Sequence, residues 1–243
     1  MVKKTLKKIW RMVLNALSGA FWYSRDLIRY RRILRPAGDA FYLFPRIFDK
    51  NPSSHTFDKH YVYMDRWAFK HIMSARPAEH VDIGSSIRFL SMASTVVKLK
   101  FVDIRPVHLD FDNFECIEGS ILKLPFADNS VASLSCLHVA EHIGLGRYGD
   151  PLDVDGTKNA CRELARVLSP GGKLYFALPV GKSAIYFNAH RVHSPQTIVE
   201  YFSGLKLLSF AAVNDAGHFI AQAKTQDFLN ANYSCGMFEF TKI

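Results

Sequence analysis

Four groups of side chains in this 243-residue chain have the types and spacing to do chemistry. The run His80-Val81-Asp82-Ile83-Gly84-Ser85-Ser86 reads as a buried strand breaking into a tight turn, where a glycine lets backbone approach a ligand closely. Asp103 ends the next apolar run, about twenty residues on, where nucleotide-binding α/β folds set a carboxylate against ribose hydroxyls. His138-Val139-Ala140-Glu141-His142 brackets a carboxylate with two imidazoles, groups that exchange protons near neutral pH. His190, Arg191 and His193 put three cationic or titratable groups within four positions, and the planar fork of Arg191 suits a phosphate or carboxylate.

These groups need a scaffold, and the hydrophobic pattern supplies one. Strands are predicted at 80–84, 99–103, 114–118, 131–137, 173–179, 206–213 and 233–241. The clearest helix between them runs from Thr157 to Leu168, and Ser169-Pro170-Gly171-Gly172 stops it and turns back into a strand. Another helical pattern spans Phe57 to Ala75. Alternation of this kind predicts an α/β fold with a mostly parallel sheet covered on both faces. The two histidine clusters then fall after strand ends, on the carboxyl edge where open α/β sheets bind ligands. The polar loop from Gly144 to Gly156 lies at the same edge. It is either an acceptor lid, with Arg147, Tyr148 and Asp150 as contacts, or an exposed connector.

Charge is confined to one end. Residues 1–35 carry ten basic residues against Asp26 alone, which accounts for the whole net charge of +9 and leaves a neutral body. Nucleic acid is therefore not the expected partner. Residues 3–21 read as an amphipathic helix, with Leu6, Ile9, Trp10, Val13, Leu14, Leu17 and Phe21 on one stripe and Lys4, Lys7, Lys8 and Arg11 opposite. Such a helix suits the surface of an anionic membrane, or packing against a partner or the protein's own body. A signal peptide is disfavoured by the short apolar core. The longest uncharged stretch, Met12 to Ser24, is too short to cross a bilayer. Residues 36–56, rich in Pro, Gly and Ser, read as a connector, so the expected organisation is an extension at 1–35, the connector, and one domain over 57–243.

Cys116, Cys136, Cys161 and Cys235 lack C-x-x-C spacing and lie in or beside apolar runs, as reduced thiols of a cytoplasmic protein would. The match of residues 138–142 to the H-x-x-E-H zinc-peptidase pattern is set aside, because the motif follows directly on a strand. Asp150, Asp153 and Asp155 lack the glycine and terminal Glu of a calcium loop, and no metal is expected.

The ordered set Ile117-Glu118-Gly119-Ser120, Leu124-Pro125-Phe126-Ala127-Asp128-Asn129-Ser130-Val131, His138 to His142, Glu163 to Gly172 and Leu174 to Val180 resembles a Rossmann-like, class I S-adenosylmethionine-dependent methyltransferase. Residues 187–195, 205–210 and 235–242 narrow the resemblance to an uncharacterised methyltransferase-like family found in nematodes and bacteria, sometimes among polysaccharide-biosynthesis genes. The resemblance implies seven strands in the order 3-2-1-4-5-7-6, the last antiparallel. It implies that Asp82, Gly84, Ser85 and Ser86 form the first turn against the methionine end of the cofactor. Asp103 would accept from the ribose hydroxyls, Ser120 and Ile121 would border the adenine, and His138 would sit beside the sulfonium. Three positions depart from the family pattern: Ser86 replaces a glycine, Ser120 an acid, and Ala132 another acid.

Two functions are carried forward from these residues. One is S-adenosylmethionine-dependent O-methylation of a sugar, glycan or glycolipid hydroxyl, with His142, His190 or Glu141 handling the proton and Arg147, Tyr148, Asp150, Arg191 and His193 holding the acceptor. The enzyme would then work in the cytoplasm, peripheral on the inner face of a membrane. The other is a non-catalytic methyltransferase-like module recruited through its N-terminal helix. A nicotinamide dehydrogenase fails on the missing G-x-G-x-x-G turn.

Overall fold

The computed structural model describes residues 2–33, 43, 45–47 and 57–243. The chain divides into two units, Met1–Phe57 and Asp58–Ile243. In the first, α1 runs from Val2 to Ile33. It is longer than the predicted 3–21 because nothing between Ala20 and Ile33 breaks a helix. The connector expected at 36–56 lies, except for Leu43 and Pro45 to Ile47, outside the described residues.

The second unit opens with α2 (Lys59–Ala75). Asp58 caps it by accepting from the backbone N–H groups of His60 and Tyr61 at 3.0 and 3.3 Å. Then come β1 (Glu79–Ile83), α3 (Ile87–Ala93), β2 (Lys98–Asp103), β3 (Phe114–Glu118), β4 (Val131–Leu137), α4 (Gly156–Val167) and β5 (Leu168–Val180). A short hairpin of β6 (Ala184–Tyr186) and β7 (His190–Val192) follows, then α5 (Pro195–Tyr201), β8 (Leu205–Val213), β9 (Phe219–Ile220) and β10 (Ser234–Lys242). One sheet takes the order β3-β2-β1-β4-β5-β10-β8-β9. Its first seven strands follow the expected order, with β10 antiparallel to both β5 and β8. The added eighth strand, β9, is a two-residue edge strand paired with β8. The hairpin β6–β7 forms a separate sheet, also absent from the expected set.

Apolar spacing explains the layers. On α4, Ala160, Cys161, Leu164 and Val167 share one buried face and join Leu134, Leu174 and Phe176 from the sheet. On α2, Met64, Trp67, Ala68 and Ile72 do the same on the opposite side, with Phe89, Leu99 and Tyr175. The central strands are buried on both faces, which explains why they read as continuous apolar runs.

A polar seam crosses this core where β1 meets β4. Asp82, fully buried, accepts from Ser85 through its backbone N–H at 3.0 Å and its hydroxyl at 2.7 Å. It also accepts from the hydroxyl of Ser135. The His80 ring lies 2.8 Å from Ser135 Oγ through Nε2 and 2.7 Å from Ser133 Oγ through Nδ1. With Ser135 donating to Asp82, every atom is satisfied when the His80 proton sits on Nε2 and Nδ1 accepts from Ser133. Burial keeps His80 neutral, pushing its pKa down to about 3. Burial also raises Asp82 to about 7, against the lowering effect of its hydroxyl and backbone donors.

Two outcomes follow from this seam. Ser135→Ala strands both Asp82 and His80 and should cost about 2 kcal/mol in chemical denaturation, so an unchanged midpoint would contradict the network. The unfolded chain loses the Asp82 proton near the ordinary carboxylate range while the folded chain keeps it to about 7. The group's contribution to stability is therefore complete at low pH and declines between about pH 4 and 7, a slope that Asp82→Asn should remove.

Candidate active site

The carboxyl edge of the sheet carries two adjoining spaces. A slot of about 120 Å³ lies beside the ends of β1, β2 and β3, and a cavity of about 700 Å³ lies between α2 and the segments after β4, β8 and β9. His138, His142 and Tyr148 line both, so the two meet at these side chains.

The slot is built by the β1 turn. Gly84 takes φ +66, and a Cβ there would meet the Val139 methyls at 3.1 and 3.3 Å, so only glycine leaves this wall open. The position of that absent Cβ lies 3.8 Å from Asp103 Oδ2. Asp103 Oδ1 is occupied by the backbone N–H of Arg105 at 2.8 Å, which aligns the carboxylate at the slot. Ile104, Ile121 and Leu122 give the slot apolar walls, and Ser120 lines it while accepting from Leu122 N–H at 3.2 Å. Tyr148 closes it. Its ring sits between the guanidinium groups of Arg105 at 4.7 Å and Arg147 at 5.0 Å.

Of the residues expected to hold a cofactor, Gly84, Asp103, Ser120, Ile121 and His138 line the slot. Asp82, Ser85 and Ser86 do not. Asp82 and Ser85 face inward and brace the turn from beneath. Ser86 is the N-cap of α3, accepting from Phe89 N–H at 3.2 Å with ordinary backbone angles. At the position of the missing second glycine, this side chain turns into a helix cap and does not line the slot.

At the junction, His138 ends β4 in the left-handed region at φ 57, an unusual conformation for a side-chain-bearing residue. Its Nδ1 lies 2.7 Å from Glu141 Oε1, and both residues are almost fully buried. Burial opposes charge on each, but at His138 the neighbouring Cys235 and then Glu141 outweigh it, and at Glu141 His138 and then His142 do. The His138 pKa stands well above the imidazole range and that of Glu141 below the carboxylate range. Glu141 is therefore a brace for His138 rather than an accessible base. Residues 140–142 form a single short turn after the strand, not a zinc-peptidase helix.

His142 is placed differently. Its Nδ1 lies 2.6 Å from the Ala189 carbonyl, so Nδ1 carries the proton and Nε2 keeps a free lone pair at the junction. His190 lines the larger cavity between Tyr186 and Tyr233, and burial lowers its pKa. Arg147 lines the same cavity and donates to Ala189 O at 3.0 Å.

Two expected acceptor contacts are corrected. Arg191 is buried and lines neither space. It donates to the carbonyls of Ile143 and, at 2.8 Å, Asp153, because alternation along β7 points it away from His190. His193 lies beside Thr157 Oγ1 at 3.3 Å, and burial, aided by Arg191, lowers its pKa to about 4. Asp150 lines the slot but uses its carboxylate on the backbone N–H groups of Gly144 and Tyr148. The loop after β4 is thus tied at both ends.

Sequence reasoning missed the far wall of the cavity: His60 and Tyr61 from the first turn of α2, and Asn214, Asp215, Asn232 and Tyr233 from the turns beside β10. Tyr61 and His60 stack on His138 at 5.3 and 5.8 Å. Asp215 positions Tyr233 by accepting from its N–H at 3.0 Å. The aromatic pair two and three residues after an Asp helix cap was the available signal. Because Arg191 ties the loop, Arg191→Ala should cost about 3 kcal/mol and speed amide hydrogen exchange across residues 144–155. Unchanged exchange with native stability would return Arg191 to the list of acceptor contacts.

The N-methyltransferase NodS of Bradyrhizobium japonicum, solved with S-adenosyl-L-homocysteine, superposes with a TM-score of 0.53 at 13% identity, over 82% of this chain and 91% of that one. Geranyl diphosphate methyltransferase, solved with SAM, gives 0.54 at 11% identity over 74% and 85%. The cyclase SpnF gives 0.52 at 13% over 73% and 81%. These likenesses show a class I methyltransferase fold, and the cyclase among them shows that the fold does not dictate the reaction. No curated protein sequence matches the chain. A family profile described as Caenorhabditis protein of unknown function, DUF268, matches residues 100–233, more than half of the chain. The chain belongs to the DUF268 family.

Proposed function

We propose that the chain is an S-adenosylmethionine-dependent methyltransferase acting on an oxygen acceptor. The observation that carries this reading is the shared wall of Gly84 and Asp103, an open backbone cradle beside an aligned carboxylate. The donor set fits a nucleoside cofactor: Asp103 for ribose hydroxyls, Ile104, Ile121 and Leu122 for a flat base, and His138 and Val139 toward the junction. The slot alone is smaller than such a ligand, so Tyr148 must swing from between Arg105 and Arg147 to admit it. Fold neighbours solved with S-adenosyl-L-homocysteine or SAM support the same choice.

When bound, the cofactor supplies an electrophilic methyl group on a sulfonium. The protein's task is orientation and proton handling. His142 accepts a proton at Nε2 from an acceptor hydroxyl placed at the junction, and its Nδ1–H stays fixed on Ala189 O. Glu141, with Oε1 at 3.8 Å from His142 Nε2, stabilises the imidazolium that forms. The cavity walls combine aromatic faces (Tyr61, Tyr148, Tyr233) with amides and a carboxylate (Asn214, Asn232, Asp215), a lining that suits a sugar or glycan acceptor.

No described helix is long and apolar enough to cross a membrane. In α1, however, Trp10, Leu14, Leu17 and Phe21 are exposed along one stripe of a strongly basic segment. That pairing of apolar stripe and positive charge favours an anionic lipid surface, where a lipid-linked acceptor would also lie.

Calorimetric titration should show micromolar binding of S-adenosylmethionine and S-adenosylhomocysteine, weakened at least 50-fold in Asp103→Ala. A folded wild type that binds neither at millimolar ligand would sink the reading and favour the non-catalytic module. In sedimentation with vesicles, phosphatidylserine should bring the full chain down and neutral phosphatidylcholine should not. Equal behaviour on both would remove the electrostatic membrane role.

A further inference from the structure

At the inner end of the larger cavity three metal-binding side chains converge from distant parts of the chain. They are His60 on the first turn of α2, His138 at the end of β4 and Cys235 at the start of β10. One ligand atom from each lies within 4.8 Å of the other two. The burial is graded: Cys235 is fully enclosed, His138 is 8% exposed, and His60 is half-buried at the cavity wall.

Two further observations point to a ligand. His138 Nε2 is buried without a hydrogen-bond partner, a costly condition for an imidazole nitrogen. Its other nitrogen, Nδ1, is held by Glu141 Oε1 at 2.7 Å. A carboxylate that holds Nδ1–H is how metal-ligating histidines are oriented, and a cation entering here takes the place of the Nε2 proton of the charged ring. The charges also balance, since the Cys235 thiolate and the Glu141 carboxylate together offset a divalent cation.

We propose that His60, His138 and Cys235 bind one zinc-class divalent cation, with Glu141 orienting His138 and the fourth position open to the cavity. One thiolate with two imidazoles selects a borderline-soft ion such as Zn²⁺ over Mg²⁺ or Ca²⁺. Ligands on a tetrahedral zinc lie about 3.3 to 3.7 Å apart, so closing on the ion draws the three atoms together by up to about 1.5 Å. His60, half-buried on a first helical turn, can supply that movement by side-chain rotation. Three protein ligands and an open position make a reactive site rather than a closed structural one. Resting on the methyltransferase reading, the ion's role there is to lower the pKa of an acceptor hydroxyl at the junction. No ligand spacing in the sequence announces this cluster, which is why a metal was not expected from it.

The test is zinc analysis and Co²⁺ titration of the reduced full chain, run beside His60→Ala, Cys235→Ala and Glu141→Gln. The expected result is one zinc per chain, with affinity reduced at least 100-fold in His60→Ala and Cys235→Ala and about 10- to 100-fold in Glu141→Gln. Co²⁺ should give a sulfur-to-cobalt charge-transfer band that Cys235→Ala abolishes. If the buried Cys235 variant fails to fold, His60→Ala, at the cavity wall, decides the matter. No binding by the folded wild type at millimolar Zn²⁺, or native affinity in His60→Ala, overturns the proposal. Cofactor titration of the same preparations separates the two readings: cofactor binding without metal overturns only this inference, and metal without cofactor only the methyltransferase reading.

Discussion

A buried carboxylate holds the business edge of this sheet together. Asp82 has no contact with solvent, yet it ties the turn after β1 to β4 through Ser85 and Ser135. Ser85 Oγ in turn accepts from Leu137 N–H at 3.2 Å, one residue before His138. The slot wall at Gly84 and the junction at His138 are therefore positioned by one network. In a low-dielectric core such a network is worth having only when each member is satisfied, and here His80 completes it. What sequence comparison suggests as a cofactor contact acts instead from beneath, setting the backbone that would meet the cofactor.

The second constraint is the strained exit from β4. His138 leaves the strand in a left-handed conformation, held by its backbone N–H on Ala177 O at 2.8 Å and by its ring on Glu141. That conformation brings an imidazole to the boundary between slot and cavity, where a continued strand would have carried it onward. Strain of this kind persists only where the surroundings over-determine it, and it concentrates where chemistry is done. The loop from Gly144 to Gly156 is fixed by Arg191 and Asp150, so Tyr148 sits on a braced frame.

Much of this was legible in the sequence because it rests on local pattern. The apolar runs at 131–137 and 206–213, the spacing on α4, and the glycine between Asp82 and Asp103 report burial and backbone freedom directly. The strand order came from resemblance, not from the pattern. Arg191 and His193 were misread because three polar residues in a row of four look alike until strand alternation separates them, sending His190 to the cavity and Arg191 beneath the loop. Ser86 was placed against the cofactor because its role as a helix cap depends on α3, whose seven residues are too few to announce a helix. His60, Tyr61, Tyr233 and Cys235 were invisible as a group, since only the packing of α2 beside the β8 and β10 turns brings them to His138.

One slot and one cavity meet at His138, His142 and Tyr148, and the proposed function assigns the slot to a nucleoside cofactor and the cavity to its acceptor. A crystal structure of the full chain with S-adenosylhomocysteine tests it most directly. The expected complex has ribose hydroxyls on Asp103, the sulfur at the His138–His142 junction, and Tyr148 displaced from between Arg105 and Arg147. A ligand lodged elsewhere, with Tyr148 still clamped and Asp103 untouched, would contradict it.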